Sequence, residues 1–215
     1  VRLGPALALL LALLSALPAP AQVRAPVAGD APEALALVER LRAGGLVLFF
    51  RHADTIGMPC DRSFRIGDRA GQRNIAPRGR AQSVAIGAAL AAQGIPVGLP
   101  VLAGPVYRAR DTAELAFGAA NVRVTDELLA DDYAGARLAE VIAAHRALFA
   151  APVPAGTNRV LVGHRTPAIM VFGAPVSGRA FPEGAALVIE PGGAQGKVLG
   201  IWMPAPLADA GFHGC

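Results

Sequence analysis

Short apolar runs alternate along this chain with stretches of helical spacing. Leu46-Val47-Leu48-Phe49-Phe50 is a continuous apolar block with Gly44-Gly45 before it and charge after it. That pattern predicts a strand over Leu46–Phe50, buried on both faces of a parallel sheet. Val101–Ala103, Val122–Val124 and Arg159–Val162 predict further short strands. Ala186–Ile189 and Val198–Met203 predict two late ones, joined around Gly192-Gly193. Between them, apolar residues recur every three or four positions. Pro32–Arg42 (Leu35, Val38, Leu41), Gly79–Gln93 (Val84, Leu90 and Ala91 inward), Arg108–Phe117 and Ala136–Phe149 (Leu138, Val141, Ile142, Leu148) predict four helices. Pro77 sits where the second can begin, and Gly94 and Gly118 stop the second and third. Thr55–Ile75, rich in Gly, Arg and Asp, reads as a long loop. Strands alternating with helices predict an α/β domain, a three-layer sandwich around a mainly parallel central sheet.

The pattern differs before Pro32. Arg2 supplies a positive start, Ala6–Leu17 is an apolar stretch too short to span a membrane comfortably, and Ala19-Pro20-Ala21 offers a cleavage site. Residues 1–21 are expected to be a signal peptide, 22–31 a flexible Pro/Ala-rich lead-in, and 32–215 one domain. The mature protein is then exported, periplasmic or secreted, with no stable membrane insertion.

Composition adds mostly exclusions. A formal charge of +4 over 215 residues, with no Lys/Arg block and few aromatic residues, argues against nucleic acid as a partner. Two cysteines, Cys60 and Cys215, leave a disulfide and two free thiols both open. No C-x-x-C, H-E-x-x-H or Asp-rich loop is present, so a mechanism without metal or cofactor is expected. His145 reads as lying on the exposed side of its helix and His213 as a surface residue of the tail, neither with partners at metal-ligand spacing.

Chemistry concentrates at Arg51-His52-Ala53-Asp54-Thr55, directly after the first strand. Ligand sites in open α/β sheets lie beyond the carboxyl ends of strands. There an arginine offers a planar fork to phosphate oxygens, and a histidine can be a neutral nucleophile or base near pH 7. Three other segments fall at similar places: Tyr107-Arg108-Ala109-Arg110-Asp111-Thr112-Ala113, Val162-Gly163-His164, and Pro77-Arg78-Gly79-Arg80-Ala81-Gln82 at a helix start. Two arginines and two histidines converging on one sheet edge would suit a tetrahedral phosphoryl group.

In these motifs the chain resembles the histidine phosphatase (phosphoglycerate mutase-like) superfamily, from about Leu46 to Met203. The resemblance rests on Arg51-His52-Ala53, on Arg108-Ala109-x-x-Thr112-Ala113, on Gly79-x-x-Gln82, and on His164 after a strand. It implies that His52 becomes a phosphohistidine, that Arg51, Arg108 and His164 grip the phosphoryl oxygens, and that water then attacks the phosphoenzyme. It departs from the family pattern where Gly104-Pro105 replaces a Ser-Pro and where Ala76 replaces a threonine. The general acid is left among Asp131, Asp132, Glu127 and Glu183, with Asp131 preferred. Thr55 and Glu183 are further candidates for substrate contact.

The reaction so implied is hydrolysis of a phosphomonoester, with a phosphorylated small molecule or glycolipid as substrate. Cys60-Asp61-Arg62 shortly after the histidine motif is similar to a periplasmic lipopolysaccharide-core heptose phosphate phosphatase. A phosphoprotein phosphatase, and a phosphate-ester binding module of the same fold with weak or lost turnover, are the alternatives. The leaving group is expected to meet the loops Thr55–Ile75 and Thr166–Phe181.

Overall fold

The first apolar block becomes the middle of the sheet. In the computed structural model, which describes residues 24–29, 31–208 and 212–213, strand β2 (Val47–Arg51) is buried at every position. β5 (Asn158–Gly163) runs parallel on one side of it, followed by β3 (Val97–Ala103) and β4 (Val122–Val124), also parallel. On the other side β6 (Ala186–Glu190) is antiparallel to β2 and to β7 (Lys197–Met203). β1 (Pro26–Ala28) closes that edge parallel to β7, giving the order β1-β7-β6-β2-β5-β3-β4.

Alternate side chains of β2 feed two separate cores, which explains an uninterrupted apolar run. Leu48 and Phe50 pack with residues of α1 (Pro32–Ala43), α2 (Pro77–Ala92) and α3 (Tyr107–Phe117). Val47 and Phe49 pack with residues of α5 (Leu138–Ala150) and α6 (Arg165–Phe172) on the opposite face. A four-residue helix, α4 (Asp131–Ala134), lies beside α5. This is the three-layer α/β sandwich with a mainly parallel sheet. No helix among the described residues is long and apolar enough to cross a membrane.

Several local expectations are corrected. The lead-in is not wholly irregular, because Pro26–Ala28 adds an edge strand; three residues are too few to show a period. In α2 the inward stripe is Gly79, Gln82, Ser83, Ile86 and Leu90, while Val84 and Ala91 are exposed. An alanine-rich helix has little contrast between its faces, so the polar Gln82 and Ser83 were not expected inside. The expected loop Thr166–Phe181 begins inside α6, which continues to Phe172, and the helix expected from Ala136 starts at Leu138 after a 3₁₀ turn. His145 is fully buried on the stripe of Val141, Ile142 and Phe149, edge-on to the rings of Phe49 and Phe149. The segment read as a signal peptide, residues 1–21, lies outside the described residues, as does Cys215.

Candidate active site

The sheet ladder runs past the end of β2 and holds the motif backbone beyond it. Arg51 N–H donates to Ala185 O (2.9 Å), His52 N–H to Gly163 O (3.0 Å), and Gly184 N–H to His52 O (2.9 Å). The motif residues hold this segment from its other sides. Ala53 N–H donates to Thr112 Oγ1 (2.9 Å), whose hydroxyl donates to Arg108 O (2.7 Å). Asp54 N–H donates to Gln82 Oε1 (2.9 Å). Gly79 is required because a Cβ there would stand 2.0 Å from Asp54 O. The Gly-x-x-Gln and Arg-Ala-x-x-Thr spacings are thus the spacings that clamp one loop.

At this edge the rings of His52 and His164 lie 5.4 Å apart between centroids, tilted by 57°. They line a cleft of about 70 Å³ with Arg51, Arg73, Arg108, Arg165, Asp131, Asp132 and Thr166. Each deep guanidinium is anchored from behind. Arg51 donates to Phe181 O (3.0 Å) and to Glu183 Oε1 (3.2 Å). Arg108 Nη1 donates to both oxygens of Asp61 (2.9 and 3.1 Å). Arg73 Nη2 lies 3.7 Å from Glu183 Oε1. Four buried nitrogens of the lining residues have no protein partner: Arg73 Nη1, Arg108 Nε, His164 Nε2 and Arg165 Nε. Buried N–H groups in that condition are rare, and their concentration here suits an anion.

The electrostatics keep both imidazoles neutral. Burial pushes His52 well below its usual 6.5, and the charges of Arg108, Arg51 and His164 push the same way. Burial, then Arg108, lowers His164 in the same manner. His52 Nδ1 lies 2.9 Å from Ala53 O, so in the neutral ring Nδ1 carries the proton and donates it, leaving the lone pair on Nε2. Burial lowers even Arg51, to about 10, against the opposing pull of Glu183. Asp131 is raised, first by burial and then by the like charge of Asp132, while the Thr166 side chain hydrogen-bonds it.

The structure therefore brings Arg51, His52, Arg108, His164, Asp131 and Asp132 to one cleft. Three candidates fall elsewhere. Glu183 is fully buried behind Arg51, where it accepts from Thr55 N–H (3.1 Å) and the Thr55 hydroxyl (3.0 Å), so neither Glu183 nor Thr55 lines the cleft. Glu127 sits exposed on a 3₁₀ turn and bonds Thr125. The departure at Gly104 has a packing cause: a Cβ there would lie 2.3 Å from Leu128 O, which excludes serine on this backbone. Arg73 and Arg165 were missed. Arg165 directly follows His164, so the end of β5 was the signal available for it; Arg73 lies in an aperiodic loop that carried none.

His213 is also corrected. It is half-buried, with Nε2 3.3 Å from both Asp54 Oδ1 and Glu183 Oε2. Asp54, Glu183 and His213 place ligand-type atoms within 4.8 Å of one another. The carboxylates are already matched to cations, Asp54 to Arg78 in two bonds (2.6 and 2.9 Å) and Glu183 to Arg51, which disfavours a metal cation between them. Cys60 is disulfide-bonded, and the chain holds one other cysteine.

A second cavity, of about 230 Å³, adjoins the cleft and shares Arg73, Arg108 and Asp132 with it. Cys60, Asp61 and Phe64 complete it, and Phe64 packs edge-on to Tyr133 with ring centroids 5.5 Å apart. Burial, followed by Asp61, pushes the Tyr133 phenol up to about 12, so it stays protonated.

No protein-family model and no curated protein sequence matches the chain. Solved structures do match its fold. A putative alpha-ribazole-5'-P phosphatase from Escherichia coli superposes with a TM-score of 0.51 at 15% identity, over 75% of this chain and 98% of the other. A mycobacterial glucosyl-3-phosphoglycerate phosphatase, in complex with VO3, superposes with a TM-score of 0.51 at 20% identity, over 74% and 99%. The chain shares the fold of these two phosphatases, a phosphoglycerate mutase-like three-layer α/β sandwich.

Proposed function

We propose that the protein is an exported phosphomonoester hydrolase that works through a phosphohistidine on His52. The observation that carries this is the cleft itself: two neutral imidazoles 5.4 Å apart among the guanidinium groups of Arg51, Arg73, Arg108 and Arg165, with Arg73 Nη1, Arg108 Nε and Arg165 Nε buried without a hydrogen-bond partner.

His52 Nε2 attacks phosphorus as the bond from phosphorus to the ester oxygen breaks. The arginines meet the charge spread over the three equatorial oxygens, positioned before the reaction begins. Asp131, kept protonated to higher pH by burial and by Asp132, gives its proton to the departing alkoxide. Its carboxylate then takes a proton from water as that water attacks the phosphohistidine, breaking the N–P bond and releasing inorganic phosphate. The adjoining cavity receives the leaving group. The Phe64 ring, packed against Tyr133 and placed beside the carboxylates of Asp61 and Asp132, suits a hydroxylated ring, which supports a sugar phosphate, free or as the headgroup of a glycolipid. Export is supported by the residue pattern of 1–21 and by the disulfide at Cys60, a bond that persists in oxidising compartments.

The test is release of inorganic phosphate from p-nitrophenyl phosphate by the protein and by His52→Ala. Release by the first alone, with an acid-labile phosphoenzyme trapped on rapid quenching, supports the reading. Equal release from both ends it. A trapped phosphoenzyme without turnover would leave a binding module in its place.

A further inference from the structure

The C-terminal tail touches the site from a direction that the reaction does not use. The Phe212 ring lies 5.4 Å from the Arg51 guanidinium, 5.4 Å from that of Arg165 and 4.9 Å from that of Arg179. Two of those three cations line the phosphoryl cleft. His213 stands between Asp54, two residues after His52, and Glu183, the carboxylate behind Arg51. The fit is close, since a Cβ on Gly57 would lie 2.9 Å from His213 Nδ1. Cys60, at the wall of the leaving-group cavity, is disulfide-bonded, and Cys215 is the one other cysteine in the sequence.

We infer that this tail is a clasp on the phosphoryl cleft: Phe212 and His213 are positioning residues for the Arg51–Glu183 pair, and the Cys60 disulfide keeps them seated. The inference rests on reading the cleft as a phosphoryl site. Physically, like-charged guanidinium groups around one ring repel one another, and an aromatic face shared among them offsets that repulsion where water is scarce. The imidazole supplies a donor to two buried carboxylates that would otherwise face each other. Without the tail, Arg51 gains water and side-chain freedom, and its fork is no longer preorganised for oxygen ligands. A dithiol reductant undoes the clasp in a balanced step. It delivers two electrons and two protons, the S–S bond becomes two thiols, and the dithiol closes to its own disulfide.

The experiment titrates the full chain with inorganic phosphate by calorimetry, beside p-nitrophenyl phosphate kinetics and melting temperature. It compares the parent protein, Phe212→Ala, Phe212→Trp, His213→Ala, Cys60→Ser and the parent treated with dithiothreitol. Phe212→Ala is expected to weaken phosphate binding and lower kcat/KM by about tenfold each, with Phe212→Trp restoring both. His213→Ala and dithiothreitol act in the same direction, and dithiothreitol does nothing further to Cys60→Ser. Phosphate affinity within about twofold of the parent, in Phe212→Ala and in the reduced protein alike, overturns the clasp. So does a loss that Phe212→Trp fails to restore while melting temperature falls in step, since the tail is then a general stabiliser. A parent protein that binds phosphate but hydrolyses nothing overturns the proposed activity alone, and the clasp is judged on affinity. A parent that binds no phosphate overturns both.

Discussion

Three of the four histidines are buried, yet their surroundings divide them. His145 lies between α5 and β2 among phenylalanine rings, with Nδ1 2.8 Å from Val141 O, and burial is the main cause that lowers its pKa. His52 and His164 are lowered by burial too, but Arg108 and Arg51 add to it from within the same cleft. Burial alone produces a neutral imidazole; only guanidinium groups can hold an anionic phosphoryl group against it and balance the charge during transfer. Removing the ring at each place is the sharpest way to break the comparison. His52→Ala is expected to lower turnover by about 10⁴-fold or more, since no other group takes over a covalent role. His145→Leu should leave kcat within about twofold, as expected of a core substitution away from reacting groups. A comparable loss in both, with p-nitrophenyl phosphate and the folded fraction matched, would erase the distinction.

The next effect tests whether the cations, rather than the hydrophobic cover, make the difference. Arg108, which lines the cleft, is held by Asp61 in two hydrogen bonds on one nitrogen, with Nε buried and without a hydrogen-bond partner. Arg108→Ala is expected to cost about 10²–10³-fold in kcat, the scale for loss of one preorganised donor at a developing charge. Arg108→Lys should recover little, because a point charge cannot replace the fork. A loss below about fivefold for the alanine variant would mean that the other cations suffice and that Arg108 serves Asp61 instead.

How far the sequence shows this contrast depends on the range of the interactions involved. The ends of β2 and β5 are visible because a buried strand is a contiguous signal, and Arg51, His52 and His164 come directly after such runs. Arg108, Gly79 and Gln82 are visible through short motifs whose spacing reflects hydrogen bonds to one loop. His145 is misread because a polar residue on an apolar stripe looks like the edge of that stripe, although it sits seven residues after Leu138 and three or four after Val141 and Ile142. Arg73 and the roles of Glu183 and His213 are invisible for another reason. Each depends on a contact across more than a hundred residues of chain, Arg73 with Glu183, Glu183 with Arg51 and His213 with Asp54, and only the fold closes those distances.

Asp131 separates the proton donor from the cations. If it protonates the leaving group, Asp131→Asn should slow hydrolysis of an alkyl phosphate by about a hundredfold, within the range of a positioned acid. p-Nitrophenolate departs without an acid's help, so kcat/KM for p-nitrophenyl phosphate, which reports the phosphorylation of His52 and not the later attack of water, should fall by less than about fivefold. The pH profile supplies the sign. Burial and Asp132 raise the folded value of Asp131, so its acid form persists to higher pH than for an ordinary aspartate. With the alkyl substrate, kcat/KM of the parent should decline on the alkaline side as Asp131 ionises, and the asparagine variant should lack that limb. Equal losses of kcat/KM on both substrates would show that Asp131 does not protonate the leaving group, and Asp132, the other carboxylate lining the cleft, would be the next to replace.

The smallest effect is one of stability, and it treats the three buried imidazoles alike where catalysis separates them. All have folded values below the usual 6.5, so below that pH the unfolded chain binds more protons than the folded one. Their share of stability is therefore complete above about pH 6.5 and is lost as the pH falls from there toward the lowered folded values. His145→Leu removes one such group, and the slope of unfolding free energy against pH in that acid window should shrink by at most about 1.4 kcal/mol per pH unit, one proton's worth. At neutral pH the same variant should lie within about 1 kcal/mol of the parent. It loses the hydrogen bond to Val141 O but also a buried Nε2 without a partner. Urea unfolding at pH 5.0 and 7.5 measures both quantities. An unchanged acid slope would show that His145 takes up its proton as readily in the folded protein as in the unfolded chain, which would set it apart from His52 and His164.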